Sequence, residues 1–327
     1  MNNLRSTLMK MMKSLPRRAS VSLVAPLAAM CLMTTPAARA DDAAPSRVDA
    51  LVNSEFANMY LTPRGMIVHD QGLTFQELVL GLVNLYKGDG PISSVTFTPG
   101  VWNDFSSSSV SSHAPFGSSP KVDWVEIDPI AGLSFGLGKH WTLSATYTSF
   151  NMQILDIPFS QHMETKLALD DSDWLKAFAL HPYIIYWQEL SGKATAAQVP
   201  YLVDPLHKGS MPLPGSSYYF DVGITPGYTY EPWGLKMEAP MRILLPDSQF
   251  YGEYYSKAST VGLFELGAKL TEPLSFMPAG YGHWSAHAGF KYMNLVDNNL
   301  ASMQEFNAPG KKTRDTVQIF FGLTAFF

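Results

Sequence analysis

Apolar and polar residues alternate with a period of two along most of this chain. Between 217 and 231, Tyr218, Phe220, Val222, Ile224, Pro226, Tyr228 and Tyr230 share one face. Ser217, Tyr219, Asp221, Gly223, Thr225, Gly227, Thr229 and Glu231 share the other. Successive side chains of a strand point to opposite sides, so this segment predicts a long strand with one greasy face and one small, polar face. The pattern recurs over 93–104, 122–137, 140–152, 235–245, 284–293 and 314–327. In 140–152, for instance, Trp141, Leu143, Ala145 and Tyr147 oppose Thr142, Ser144, Thr146 and Thr148. Weaker alternation marks 51–62, 73–86, 162–170, 177–189 and 257–270. The 73–86 stretch also reads as a buried helix, because Leu78, Val79, Leu80, Leu82 and Val83 crowd together.

These segments number about twelve, each near the ~9–11 residues that a tilted strand needs to cross a bilayer. No stretch after Ala40 is apolar for long enough to cross as a helix. A membrane-spanning reading therefore requires a closed barrel, in which every backbone N–H and C=O finds a partner. The expected fold is all-β, a closed antiparallel transmembrane barrel of about twelve strands over 51–327, preceded by a short periplasmic segment at 41–50. An even strand number leaves both termini on the periplasmic side. The outer loops then fall at 63–72, 105–121, 153–161, 190–215, 247–256 and 298–313, mostly long and rich in Ser, Pro and Gly. The inner turns fall at 87–92, 138–139, 171–176, 232–234 and 271–283. They are mostly short, with 271–283 the exception.

The two ends of the chain point to export. Arg5, Lys10, Lys13, Arg17 and Arg18 precede an apolar run from Ala19 to Met33, and Ala38-Arg39-Ala40 gives a small-x-small site. That layout predicts a secretory signal peptide at 1–40, cleaved after Ala40. At the other end Ile319, Phe321, Leu323, Ala325 and Phe327 alternate with smaller or more polar residues. A terminal aromatic on such a strand resembles the insertion signal read by the barrel assembly machinery of a Gram-negative outer membrane.

Composition narrows the choice further. Charged residues make up 16% of the chain, against a usual ~25%, while aromatics make up 13%. A wall facing lipid explains both. Removing the leader leaves 17 basic against 28 acidic residues, a net charge of −11, which argues against a nucleic-acid partner. Cys31 is the only cysteine and lies in the leader, so thiolate metal sites and cysteine nucleophiles are excluded from the mature chain. Trp141, Trp233, Trp284 and Phe327 lie near the inner strand ends. Tyr218, Phe250, Tyr251, Tyr254 and Tyr255 lie near the outer ones, where amphipathic rings suit the lipid–water boundary.

Candidate chemistry is sparse. His283 and His287 are four apart, but on a strand that separates them by about 13 Å, too far to share a metal. Serines are plentiful over 106–119 beside His113, yet no Gly-x-Ser-x-Gly elbow accompanies them. Neither a cofactor nor a metal is implied. Charged residues on polar strand faces must point inward, because lipid would not tolerate them. That reasoning nominates Asp104, Glu126, Asp128, Glu164, Asp221, Glu238 and Glu265 as pore-lining acids, with Lys166, Lys236, Arg242, Lys269, Lys291 and Arg314 as the facing bases. The pair Glu126 and Asp128 shares one face and could also be read as a two-carboxylate site.

Further pieces resemble the TorF-like family of outer-membrane porins. They are Tyr60 with Arg64-Gly65, Gln76, Gly100, Trp102, Glu126-Ile127-Asp128 with Gly132, Trp141 and Tyr147. The later run Pro273-Leu274-Ser275-Phe276 with Tyr281-Gly282 and Trp284 is similar to the same family. The resemblance covers about half the chain and implies a porin, with no catalytic or ligand-binding residue attached. The expected function is passive diffusion of small polar solutes across the outer membrane. A closed barrel serving as a structural or surface-interaction protein is the alternative reading, and an outer-membrane hydrolase is a more distant one.

Overall fold

The computed structural model describes residues 48–70, 72–110, 122–151, 153, 160–191, 217–248, 250, 259–301 and 314–327. The expected leader at 1–40, Tyr251, Tyr254, Tyr255 and His113 lie outside them. Antiparallel strands follow one another round a closed cylinder of twelve. They are β1 (Val48–Ala57), β2 (Thr74–Lys87), β3 (Ile92–Val110), β4 (Val122–Leu137), β5 (Trp141–Phe150) and β6 (Ser160–Leu169). Then come β7 (Tyr183–Ser191), β8 (Tyr218–Ile224 with Gly227–Tyr230) and β9 (Leu235–Glu238 with Met241–Pro246). The last three are β10 (Leu263–Pro273), β11 (His283–Leu295) and β12 (Asp315–Phe326). The ring closes where β12 meets β1, from Leu51 opposite Phe326 to Ala57 opposite Phe320. A closed ring has no strand edge, so no row of backbone groups is left unpaired.

Two strands are interrupted side by side. Pro226 breaks β8 and Pro240 breaks β9, since neither has an N–H to give to the ladder. Their carbonyls still accept, from Ala239 N–H at 2.9 Å and Gly267 N–H at 2.8 Å respectively. The two interruptions therefore lie at one level, and the ladder stays linked across them.

Burial is inverted relative to a water-soluble protein. On β12, Val317 and Ile319 are 46% and 59% exposed, while Gln318 between them is 1% exposed. On β8, Phe220 and Val222 face outward and Asp221 is buried. Ala325 shares the outward parity but is shaded by Val52 and Trp284 on its two neighbours. Polar groups turn into the cylinder and apolar ones turn out, as a lipid environment demands. Aromatics gather on the outer surface at both ends. Trp284 meets Phe327 edge-on at 6.0 Å near the chain termini, and Tyr186 contacts Tyr218 and Phe220 near the opposite rim. Phe250, expected in that rim, is instead fully buried inside the barrel.

Several strand boundaries differ from the sequence expectation. The 73–86 ambiguity resolves as β2, whose inner Leu78, Leu80 and Leu82 and outer Val79 and Leu85 make both faces apolar. A strand apolar on both faces has no period-two signature to read. The 257–270 strand lies later, as β10, so the supposedly long inner connection shrinks to 274–282. The 177–189 strand begins only at Tyr183, because Ser172–Leu175 and Lys176–Phe178 form short helical turns before it.

The inverted wall makes a quantitative prediction. Val222→Arg or Phe321→Arg, each placing a charge in the outer band, is expected to cost about 2–4 kcal/mol of stability. Ser134→Lys on the inner face is expected to stay within about 0.5 kcal/mol. Urea titration of the barrel folded into lipid vesicles checks the order, and equal costs at both faces would contradict it.

Candidate functional site: the lumen and its inward-folded hairpin

Beyond Ala57 the chain leaves the wall and turns into the cylinder. Tyr60–Leu61 pairs with Ile67–His69 as a small antiparallel hairpin, Tyr60 opposite His69 and Leu61 opposite Ile67. Thr62 N–H donates to the Met66 carbonyl at 2.8 Å, and Gly65 supplies the positive φ of +91° that the turn requires. Tyr60, Leu61, Arg64, Ile67 and His69 are all buried. This corrects the sequence expectation, which ended a wall strand at 62 and placed 63–72 in an outer loop. The physical reason lies in the composition of the segment: outside the barrel Leu61 and Ile67 would face water, whereas inside they enter a packed cluster.

That cluster fills the end of the lumen remote from the chain termini. Leu61 and Ile67 pack with Ile185, Trp187, Tyr219, Leu244, Phe250, Leu263, Met293, Leu295 and Leu300. Polar contacts then fix the hairpin to several strands. Tyr60 Oη donates to Glu126 Oε2 at 2.7 Å, and His69 Nε2 lies 2.8 Å from Asp104 Oδ2. Gln76 Nε2 donates to the other oxygen of Asp104 at 3.1 Å. Arg242 Nη2 donates to the Pro63 carbonyl at 2.6 Å, and Gln318 Nε2 to the Met59 carbonyl at 2.9 Å. The Arg64 guanidinium lies 4.4 Å over the Phe150 ring and 5.4 Å from that of Trp187. A buried hydrogen bond to a charged group contributes about 1.5–3 kcal/mol, so these contacts define one seat for the hairpin.

The residues nominated from sequence fall into three groups. Asp104, Glu126 and Asp128 lie behind the hairpin, with Asp128 accepting the Asn151 backbone N–H at 3.0 Å. Arg242 donates to Asp221 and, at 2.7 Å, to Glu265, forming a three-member charge bridge across β8, β9 and β10. Nearer the chain termini, Lys236 pairs with Glu238 at 2.8 Å, and Glu164, Lys166, Lys269 and Lys291 share the inner face. Arg314 departs from the nomination. It is exposed at the far rim, where Nη1 donates to the Leu295 and Val296 carbonyls at 2.9 Å and Nη2 to Asn298.

Access to the lumen is graded. Behind the hairpin Asp104, Glu126, His162 and Glu189 are buried to within 1% exposure. Towards the chain termini Leu51, Asn53, Trp102, Lys166, Lys269 and Lys291 are half-buried and reach solvent. The lumen is therefore a chamber accessible from the terminal end and packed shut at the other among the described residues. Glu126 and Asp128 do not form an accessible two-carboxylate site, because the hairpin covers them. His287 Nε2 lies 3.4 Å from Glu55 while His283 is exposed, so the two histidines are not brought together. No group of three metal-ligating side chains is assembled among the described residues.

The hairpin was missed because the segment was read as strand plus loop. Its own pattern was available: Tyr60-Leu61, then Pro63-Arg64-Gly65, then Met66-Ile67-Val68. Two short apolar runs around a Pro/Gly turn predict a hairpin.

No family model matches the chain, and no curated protein does either. Among solved structures the chain is similar to an outer membrane channel from Pseudomonas putida F1, at 11% identity and a TM-score of 0.49, over 87% of this chain and 97% of that one. It is also similar to outer membrane phospholipase A from Escherichia coli, at 11% identity and a TM-score of 0.36, over 86% and 90%. A third likeness is to Pseudomonas putida OprB, at 6% identity and a TM-score of 0.37, over 86% and 93%.

The turn of the hairpin offers a direct probe. A Cβ at Gly65 would sit 2.8 Å from Leu295 Cδ2 and 2.9 Å from Leu263 Cδ2, on a backbone that disfavours side chains. Gly65→Val is therefore expected to unseat the hairpin, at a cost of about 1–3 kcal/mol. With Leu61→Cys as the single thiol in a Cys31→Ser background, maleimide labelling should rise about tenfold, the factor that ~1.4 kcal/mol commands. Unchanged labelling would show that the turn is not seated against those leucines.

Proposed function

We propose that this chain is an outer-membrane channel for passive diffusion of small hydrophilic solutes, and that the 58–70 hairpin is its gate. One observation carries the reading: acids and bases lie on the inner face of a closed cylinder whose outer face is apolar. Charges there cost little only if water or a counter-charge meets them, and on the half nearer the termini solvent does. Solutes would enter and leave past Lys166, Lys236, Lys269, Lys291, Glu164 and Glu238. Conduction would need the hairpin to swing from its seat, since the opposite half of the lumen is packed. Export by the leader and insertion by the assembly machinery, reading Ile319, Phe321, Leu323, Ala325 and Phe327, belong to the same proposal. The TorF-like resemblance supports it.

A second reading rests on the packed cluster around Leu61 and Ile67. If that cluster never opens, the protein is a rigid structural barrel that carries surface loops and transports nothing.

Planar-bilayer recording separates the two. Wild-type protein is expected to open rarely. The double variant Tyr60→Phe/Gln318→Ala, which removes two hairpin contacts, should raise open probability about tenfold or more. Lys291→Glu should shift the selectivity of those openings towards cations. Absence of conductance from well-folded wild type and double variant alike would overturn the channel reading in favour of the structural one.

A further inference from the structure

The inner wall nearer the chain termini is not uniformly polar, and its two sides differ in chemistry. On β1, β2, β3 and β4 the inward positions include Leu51, Leu78, Leu80, Trp102 and Ile130, which pack as one cluster. Leu78, Leu80 and Ile130 are buried beneath, while Leu51 and Trp102 are half-buried and meet the lumen. Leu80 leans across the neighbouring strand: a Cβ at Gly100 would come within 2.3 Å of its Cδ2. Gly100 is paired with both Leu80 and Ile130, so the missing side chain is what lets the patch join across β3.

Cations flank this patch round the ring. In the closed ring β11 stands two strands and β10 three strands from β1, so Lys291 and Lys269 follow Leu51 round the same inner surface. The Lys291 ammonium lies 5.9 Å from the Phe320 ring, and that of Lys166 lies 4.5 Å from Tyr183. Neither Lys269 nor Lys291 forms an ion pair among the described residues, whereas Arg242 holds Asp221 and Glu265, and Lys236 holds Glu238. Glu238 is the cross-strand partner of Lys269, Glu265 lies diagonal to Lys291, and Glu55 stands beside His287, so these carboxylates flank the two ammonium groups without an ion pair to either among the described residues.

Resting on the channel reading above, we propose that this half of the lumen is a binding chamber for amphiphilic monoanions, small molecules with an apolar body and one carboxylate-like head. The body would cover Leu51 and Trp102 and release the water against them. The head would approach Lys269 and Lys291, where walls of low dielectric strengthen the attraction. A neutral analogue gains the first contact only, and a cationic analogue meets repulsion.

Calorimetric binding to the full barrel in nanodiscs tests this, using cyclohexanecarboxylate, cyclohexanemethanol, cyclohexylmethylammonium and acetate. The carboxylate should bind at least about tenfold more tightly than each of the others. Lys269→Gln/Lys291→Gln should abolish that preference over cyclohexanemethanol. Leu51→Ser should weaken the carboxylate and the alcohol alike while leaving acetate unchanged. A carboxylate that binds no better than acetate, or that ignores the lysine substitutions, would overturn the chamber. Conductance is read separately on the same preparations. Preference without conductance supports the chamber and overturns the channel, while conductance without preference overturns the chamber and leaves the channel standing.

Discussion

A backbone N–H or C=O in hydrocarbon has no water to turn to, and leaving one unpaired costs several kcal/mol. For a chain that crosses as strands, that constraint is met only by closing the sheet on itself. The pairing of β12 with β1 is where the condition is satisfied in this molecule. Once closed, the sheet has only two faces. Lipid takes the apolar one, so Asp221, Arg242, Glu265 and their neighbours are driven to the other. The charged interior is thus a consequence of closure, and the candidate function follows from that interior.

An interior full of charge must still be reconciled with a barrel that is packed at one end. Here the chain does so with its own residues. The 58–70 hairpin brings Leu61 and Ile67 into a dry cluster and presents Tyr60 and His69 to Glu126 and Asp104. Acids that would otherwise lie unpaired behind a plug are thereby given partners. Arg242 links the two regimes, holding the carbonyl of Pro63 with one nitrogen while the guanidinium bridges Asp221 and Glu265. Arg242, like Tyr60 and His69, thus ties the seated hairpin to the charged groups of the wall.

Much of the wall was legible in the sequence because period-two alternation is a local signal. The 217–231 and 314–327 segments carry it cleanly, and both are strands. The lumen was less legible, since an inward position tolerates either chemistry. Leu78 and Leu80 break the polar rule on the inner face, so the same run could be read as a helix. Phe250 was assigned to the rim by its neighbours Tyr251, Tyr254 and Tyr255, yet it packs on Trp187 and Tyr219. Burial inside a barrel depends on which loop folds inward, and strand periodicity does not encode that. Arg314 shows the complementary error: its charge suggested the lumen, but the rim carbonyls of Leu295 and Val296 satisfy it.

The central claim is the two-sidedness of a sealed wall, and β12 tests it most directly. Spin labels placed singly at 316 through 323 in the lipid-reconstituted barrel report, residue by residue, their collision rates with oxygen and with a water-soluble nickel chelate. High oxygen accessibility at 317, 319, 321 and 323, alternating with low values at 316, 318, 320 and 322, is the expected result. A profile without that period, or one with Phe321 and Leu323 shielded from lipid, would contradict the account.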